Sequence, residues 1–190
     1  MGETIRDGTG TSNFLKIDNK NRMRAYAVIE DEATWINRVE KEMYSGPWSG
    51  NITAATTGNF IYYLKNTSTT KDMVVVTLKH RCSGASGTIS VWLNVTGTPG
   101  GSLTTLTPAN RNAGSNNTAD CTYYESTNIT GLSGGDKVGS LYGKVGEEFE
   151  YGRPCSGWIL PPNGTLGIKA DNDTAAHYGG LAFFFRDKED

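Results

Sequence analysis

The chain has 190 residues, 36% of them hydrophobic, and its 18 lysine and arginine residues nearly balance its 20 aspartate and glutamate residues. This length suits one domain with an appendage, the near-neutral charge provides no basic field for nucleic acid, and no apolar run reaches the roughly 20 residues of a membrane helix. Glycine, threonine, asparagine and serine fill 75 of the 190 positions, a composition that disfavours helices and favours short strands joined by many turns.

A charged appendage precedes the body of the chain. Of the first 45 residues 15 are charged, whereas only 23 of the remaining 145 are. We therefore expect an N-terminal segment at 1–45 and one domain at 46–190, joined by the turn-forming residues 45–50. Within the appendage, an apolar strand ending at Ile17, turn formers at 18–21 and nearly alternating residues at 22–29 predict a β-hairpin.

A short helix is predicted after the hairpin. Asp31 is a suitable N-cap, and Trp35, Val39 and Met43 follow at intervals of four residues, which places them on one helix face. We expect this narrow apolar stripe either to pack on the body of the protein or to form a contact between subunits.

The body of the chain predicts strands separated by turn signals every eight to twelve residues or so. The predicted strands are 51–55, 59–66, 72–82, 87–96, 102–107, 119–125, 137–150 in pieces, 156–160, 164–170 and 177–186. Segments 73–76 and 183–185 are continuously apolar, which indicates burial on both faces or at a subunit contact. The expected fold is mainly β, an antiparallel β-sandwich resembling a jelly roll, with an N-terminal extended arm, a hairpin and one short helix.

The cysteine and histidine residues offer one weak metal motif. His80 and Cys82 face the same side of a predicted strand, but the sequence shows no second pair of ligands of the kind that zinc sites usually have. The first residues contain no hydrophobic export segment, so we expect a reducing cytosol, in which Cys82, Cys121 and Cys155 are small core residues. We favour this structural interpretation and predict no metal and no cofactor.

The acidic residues allow the hypothesis that the chain is an enzyme, which we do not favour. Glu148 and Glu150 share one face of a predicted strand, as the carboxylates of some glycosidases do, and His177 is one of only two histidines. Paired acids on a strand are more often solvated, and nothing near them suggests raised pKa values. We therefore expect no catalytic activity.

Several aromatic residues are candidates for surface contacts. The pairs 62–63 and 123–124 are adjacent tyrosines, so one ring of each pair faces either side of its strand, and Trp48 lies in a polar joint. Exposed rings bind sugars in many β-sandwich modules and also fill interfaces between subunits. We favour the interface and leave a glycan as a possible ligand.

Four segments show a resemblance to known proteins. They are 7–10 (DGTG), 15–23 (LKIDNKNRM), 30–32 (EDE) and 158–168 (WILPPNGTLGI). In these segments the chain resembles a family of tailed-bacteriophage virion proteins, which are small β-sandwich structural proteins.

The resemblance implies a non-enzymatic capsid decoration or cement protein, made in the host cytoplasm and located on the outer head surface of the virion. It implies binding to the major capsid protein, stabilisation of the shell, and a homo-oligomer, with a trimer favoured. The residues expected to anchor the protein on the capsid are the apolar ones of the N-terminal segment: Phe14, Leu15, Ile17, Met23, Tyr26 and Val28. Trp35, Val39 and Met43 are the candidates for the contact between subunits.

Two other functions remain open at this point. The sandwich is alternatively the receptor-binding or carbohydrate-binding head of a tail or head fibre, with residues 1–45 as its attachment peg. The chain is alternatively a component of the tail or neck of the same virion.

Overall fold

The computed structural model of the chain describes residues 15–17, 23–25, 32–48, 50–152 and 157–188. Strands predominate in these residues, and two antiparallel sheets pack together as a sandwich, which confirms the predicted fold class. The described residues include no helix with the length and hydropathy of a membrane span.

Short elements precede the sandwich. Strand β1 (Leu15–Ile17) pairs antiparallel with β2 (Met23–Ala25), as the predicted hairpin requires. Next, α1 (Glu32–Trp35) continues directly into a π-helical turn (Ile36–Glu40), and we call the two together the 32–40 helix.

The prediction that Met43 lies on the same helix face as Trp35 and Val39 is wrong. The 32–40 helix ends at Lys41, whose φ of 60° is left-handed and whose backbone N–H donates to Ile36 O at 2.7 Å. Met43 belongs to the first strand of the sandwich and therefore does not share a helix face with Trp35 and Val39. The sandwich thus begins two residues before the expected joint at 45–50.

The first sheet contains seven strands. They are β10 (Ala109–Asn110), β3 (Met43–Pro47), β16 (Ala176–Asp187), β6 (Lys71–Ser83) and β13 (Phe149–Gly152) in spatial order, with β14 (Trp158–Leu160) also on β6 and β4 (Ile52–Thr53) on β16. Because β13 and β14 pair with successive stretches of β6, they act as one interrupted edge strand.

The second sheet also contains seven strands. They are β12 (Asp136–Gly143), β7 (Gly87–Leu93), β15 (Thr165–Ala170), β5 (Phe60–Asn66), β11 (Cys121–Ser133) and β8 (Thr96–Gly100) in spatial order, with β9 (Thr104–Thr105) on β11. Most of them match predicted strands closely. The exceptions are β11, which continues well beyond residue 125, and β8, of which only the first residue falls within the predicted strand 87–96.

The strand order is that of a jelly roll. Eight strands taken in chain order, namely β3, β5, β6, β7, β12, the β13–β14 pair, β15 and β16, correspond to strands B to I of that fold. The first sheet then has the order B-I-D-G and the second the order C-H-E-F, with the remaining strands added at the edges or ends.

Apolar side chains are buried on both faces of the first sheet. Met73 and Val75 face the inner core between the sheets, whereas Val74 faces outward into a second cluster with Ile36 and Phe184. The 32–40 helix covers this outer cluster through Ile36. Burial on both faces therefore explains the continuously apolar segments at 73–76 and 183–185.

The expectation that aromatic rings are exposed for surface contacts is wrong for Trp48, Tyr62 and Tyr123. Tyr62, Tyr123 and Trp48 are buried in the inner core, where Trp48 stacks on Tyr62 with ring centroids 4.0 Å apart. Tyr63 faces the other side of its strand but is also buried, because a third apolar cluster that includes Val95 covers the outer face of the second sheet.

Candidate functional site

The most distinctive cluster of polar side chains lies inside the sandwich. His80 and Cys82 of β6 and His177 of β16 are almost completely buried, and their donor atoms lie close together. His80 Nε2 is 3.0 Å from His177 Nδ1, and Cys82 Sγ is 3.5 Å from His80 Nε2 and 3.6 Å from His177 Nδ1. We call these three residues the HCH cluster.

A β-bulge turns two members of the HCH cluster into the core. Thr77 pairs with Ala182 but Val75 pairs with Phe183, so Val76 is an extra residue in β6. Before the bulge the odd-numbered positions of β6 face inward, and after it the even-numbered positions do. His80 and Cys82 therefore face the core. They lie beside His177 of β16, which pairs directly with Cys82.

The HCH cluster is uncharged at neutral pH. Burial, together with the neighbouring His177, lowers the pKa of His80 to about 3. Burial also lowers the pKa of His177, although the nearby backbone of Asn172 and the charge of Asp171 oppose part of this effect. Burial raises the pKa of the Cys82 thiol, and a hydrogen bond with the backbone of Gly87 opposes part of this effect. Two neutral imidazoles and one thiol are the result.

The HCH cluster has two outer ring nitrogens, His80 Nδ1 and His177 Nε2. Within the described residues, neither His80 Nδ1 nor His177 Nε2 has a hydrogen-bond partner. Gly143 of β12 closes the cluster on one side, because a Cβ atom there would lie 2.5 Å from His80 Cε1 and 2.7 Å from Cys82 Sγ. The cluster is therefore tightly enclosed, and its polar atoms are only partly satisfied.

A shallow groove on the outer face of the first sheet contains the predicted pair of acids. The groove has a volume of about 670 Å³. Lys79 forms ion pairs with both carboxylates, at 3.0 Å to Glu148 and 3.7 Å to Glu150, and the Arg81 guanidinium lies 4.6 Å from the centroid of the Tyr178 ring. The acids share a face, as predicted, but His177 points into the core on the opposite side of the sheet.

The residues predicted to anchor the chain are only partly described. Phe14, Tyr26 and Val28 lie outside the described residues, while Leu15 and Ile17 lie on β1 and Met23 on β2.

The residues predicted to form a contact between subunits do not lie together on one surface. Trp35 and Val39 are 38% and 47% exposed on the 32–40 helix, whereas Met43 is buried with Ile36 on the outer face of the first sheet. An intersubunit contact at this place therefore has Trp35 and Val39 available, but not Met43.

Two members of the HCH cluster, His80 and Cys82, are paired by the sequence pattern, whereas the sequence gives no sign that His177 joins them. The shared face of His80 and Cys82 follows from their spacing. His177 is separated from Cys82 by 95 positions and reaches it only through the pairing of β6 with β16.

Comparison of the chain with protein-family models, with curated proteins and with solved structures gave no match.

Proposed function

We propose that this chain is a non-enzymatic structural protein of a bacteriophage virion, which binds the outer surface of the head through its N-terminal segment and stabilises the shell. The observation in favour is the arrangement of the chain: a jelly-roll sandwich that begins at Met43 follows a separate, charged N-terminal segment. Double-sheet jelly rolls recur in viral capsid domains, which is an argument from analogy of fold.

The sandwich completes its own core. Both of its sheets consist of strands from Met43 onward, whereas β1 and β2 form a sheet of their own. The N-terminal segment is therefore not needed to fill a place in either large sheet. We propose that its apolar residues are buried against a partner, the major capsid protein.

The energy of attachment follows from apolar burial. Each large apolar side chain that is removed from water contributes about 1.5–3 kcal/mol, so several of them offset the cost of ordering the segment. Repetition over a lattice of identical capsid subunits adds avidity. Bridging neighbouring subunits raises the work needed to separate them under the pressure of the packaged genome.

The 32–40 helix favours self-association as part of this function. Trp35 and Val39 are exposed apolar side chains on the element that joins the N-terminal segment to the sandwich. A homo-oligomer, for which we favour a trimer, would cover them and present several N-terminal segments to the capsid at once.

Sedimentation with phage heads tests the proposal. The purified chain is mixed with heads of the encoding phage that lack it, and the pellet is analysed for bound chain and for resistance of the heads to heat. We expect saturable binding at a copy number set by the capsid lattice, and heads that release their genome at a higher temperature. Binding only to tails, or none to any part of the virion, would contradict the proposal.

A receptor-binding or carbohydrate-binding head is the second candidate, and the groove on the first sheet favours it. The groove combines an aromatic ring, Tyr178, with the charged groups of Arg81 and Lys79. Under this alternative, a glycan array shows specific binding that Tyr178→Ala abolishes. Tyr62, Tyr123 and Trp48 are unsuitable for this test, because they are buried and their loss would disturb the core.

A further inference from the structure

The donor atoms of the HCH cluster form a triangle of the size that a metal ion requires. Its sides are 3.0, 3.5 and 3.6 Å. A point about 2.0 Å from all three atoms lies inside this triangle, and metal bonds to imidazole nitrogen and thiolate sulfur are about 2.0–2.3 Å long. An ion at this point needs little movement of the three side chains.

The chemistry of these donors suits a soft ion. Neutral imidazole nitrogens and a cysteine thiolate select copper(I) and zinc over calcium, magnesium or manganese, which prefer oxygen ligands. We propose that His80, Cys82 and His177 bind one copper(I) ion inside the sandwich, in a three-coordinate site with two nitrogens and one sulfur.

Charge favours copper(I) over zinc at this place. The ligand set of two neutral imidazoles and one thiolate has a charge of −1, so Cu⁺ makes the site neutral, whereas Zn²⁺ leaves a net charge of +1. An uncompensated charge is costly in a buried site. Zinc also usually takes four ligands, and the described residues bring only three donors of this kind together.

Binding requires the loss of one proton. In the metal-free cluster, His80 Nε2 and His177 Nδ1 share one hydrogen bond. As Cu⁺ binds, the Cys82 thiol releases its proton to solvent and forms the Cu–S bond, and the imidazole that donates the shared hydrogen bond changes tautomer. Its proton then occupies an outer ring nitrogen, and both inner nitrogens offer lone pairs to the ion. The oxidation state of copper does not change.

A competition experiment on the full-length protein tests the site. Reduced protein is titrated with Cu⁺ under anaerobic conditions against the coloured chelator bicinchoninate, and the copper-loaded protein is examined by X-ray absorption. We expect one Cu⁺ per chain to be withheld from the chelator, with one sulfur and two nitrogen neighbours at about 2.0–2.3 Å.

Variants assign the ligands. Cys82→Ser should weaken Cu⁺ binding by about 100-fold or more, since even loss of an outer contact to a metal ligand weakens affinity by about 10–100-fold. Cys121→Ser and Cys155→Ser are matched controls that should retain full affinity. Circular dichroism checks the fold of each variant, and if Cys82→Ser is unfolded the X-ray absorption of the unmodified protein decides.

Three outcomes would overturn the proposal. The first is that bicinchoninate removes all copper from the unmodified protein. The second is that a control variant loses the bound ion while Cys82→Ser keeps it. The third is that equimolar Zn²⁺ displaces Cu⁺ from the cluster, which would contradict the argument from charge.

Discussion

The buried histidines determine how the metal-free protein responds to acid. In the folded state the pKa of His80 is about 3 and that of His177 is below its usual value, whereas in the unfolded chain both are near 6.5. Below pH 6.5 the unfolded chain binds protons that the folded protein does not, so the free energy of unfolding falls as the pH falls. The contribution of the neutral rings is complete above pH 6.5 and is lost toward the folded pKa values.

The magnitude can be measured directly. Each histidine that stays neutral only in the folded state lowers the free energy of unfolding by about 1.4 kcal/mol per pH unit below 6.5. Urea unfolding of chelator-treated protein at pH 7.5, 6.5 and 5.5 should show this loss. The ring proton NMR shifts of His80 should stay at their neutral values down to pH 5, and those of His177 should change only below its usual pKa of about 6.5. Titration of either ring near 6.5 in the folded protein would contradict the prediction. The ionisable side chains beside these rings are Cys82 and, near His177, Asp171.

Gly143 provides a second prediction at the scale of one residue. We expect Gly143→Ala to lower the free energy of unfolding by about 1–3 kcal/mol, because the added Cβ would overlap His80 and Cys82. Gly139→Ala is the matched control on the same strand, since its Cβ would meet only Trp158, at 4.0 Å. Chemical denaturation of both variants checks this, and equal stabilities would contradict the enclosure of the HCH cluster by β12.

For single residues, the sequence does not predict whether a side chain faces the core or the outside of the sandwich. Alternation correctly places His80 and Cys82 on one face, but the bulge at Val76 decides that this face is the inner one. Adjacent tyrosines correctly predict rings on both faces of a strand, yet a cluster from other strands buries Tyr63 as well as Tyr62. Neither the bulge at Val76 nor the burial of Tyr63 by other strands is indicated by the residues next to it in the sequence.

The 32–40 helix leads to a prediction at the scale of an element. Ile36→Ala should lower the free energy of unfolding by about 2–3 kcal/mol, because Ile36 is 2% exposed and packs with Met43, Val74 and Phe184. Val39→Ala should change it by less than about 0.5 kcal/mol, since Val39 is 47% exposed. Thermal or urea unfolding distinguishes the two, and equal effects would mean that the helix does not pack through Ile36.

The same element tests the contact between subunits. Trp35→Asp should convert the proposed oligomer into folded monomers in sedimentation, because a charged group replaces an exposed apolar ring. An unchanged sedimentation coefficient would contradict a contact at Trp35. Circular dichroism checks that the Trp35→Asp variant is folded.

Strands with a regular sequence pattern were predictable, whereas the end of the 32–40 helix, which depends on the backbone conformation of Lys41, was not. Regular alternation and turn residues located most strands, and continuously apolar segments correctly indicated burial on both faces of the first sheet. The helix was expected to extend to Met43, because that spacing continues the apolar stripe. A left-handed Lys41 ends it two residues earlier, and Met43 is buried equally well from a strand.

At the scale of the whole molecule, composition and strand spacing were enough for the fold class but not for the site. A glycine- and threonine-rich chain with frequent turns predicts an antiparallel sandwich. The pairing of β6 with β16, which joins residues near the middle and the end of the chain, follows only from the complete strand order. The HCH cluster depends on that pairing, so a site of this kind emerges only from the fold.

The division into segment and sandwich leads to the last prediction. Deleting residues 1–30 should leave the unfolding temperature of the sandwich almost unchanged, because both large sheets are built from Met43 onward. The truncated protein should nevertheless fail to sediment with phage heads, since the apolar residues proposed to anchor it are absent.

A full-length control separates apolar burial from the charge and length of the segment. It replaces the six proposed anchors with serine and keeps every charged residue; these anchors are Phe14, Leu15, Ile17, Met23, Tyr26 and Val28. At about 1.5–3 kcal/mol for each large side chain buried, their loss should reduce binding to heads below detection even with avidity. If the serine variant binds while the truncated protein does not, charged groups provide the attachment. If the truncated protein still decorates heads, the attachment surface lies on the sandwich itself.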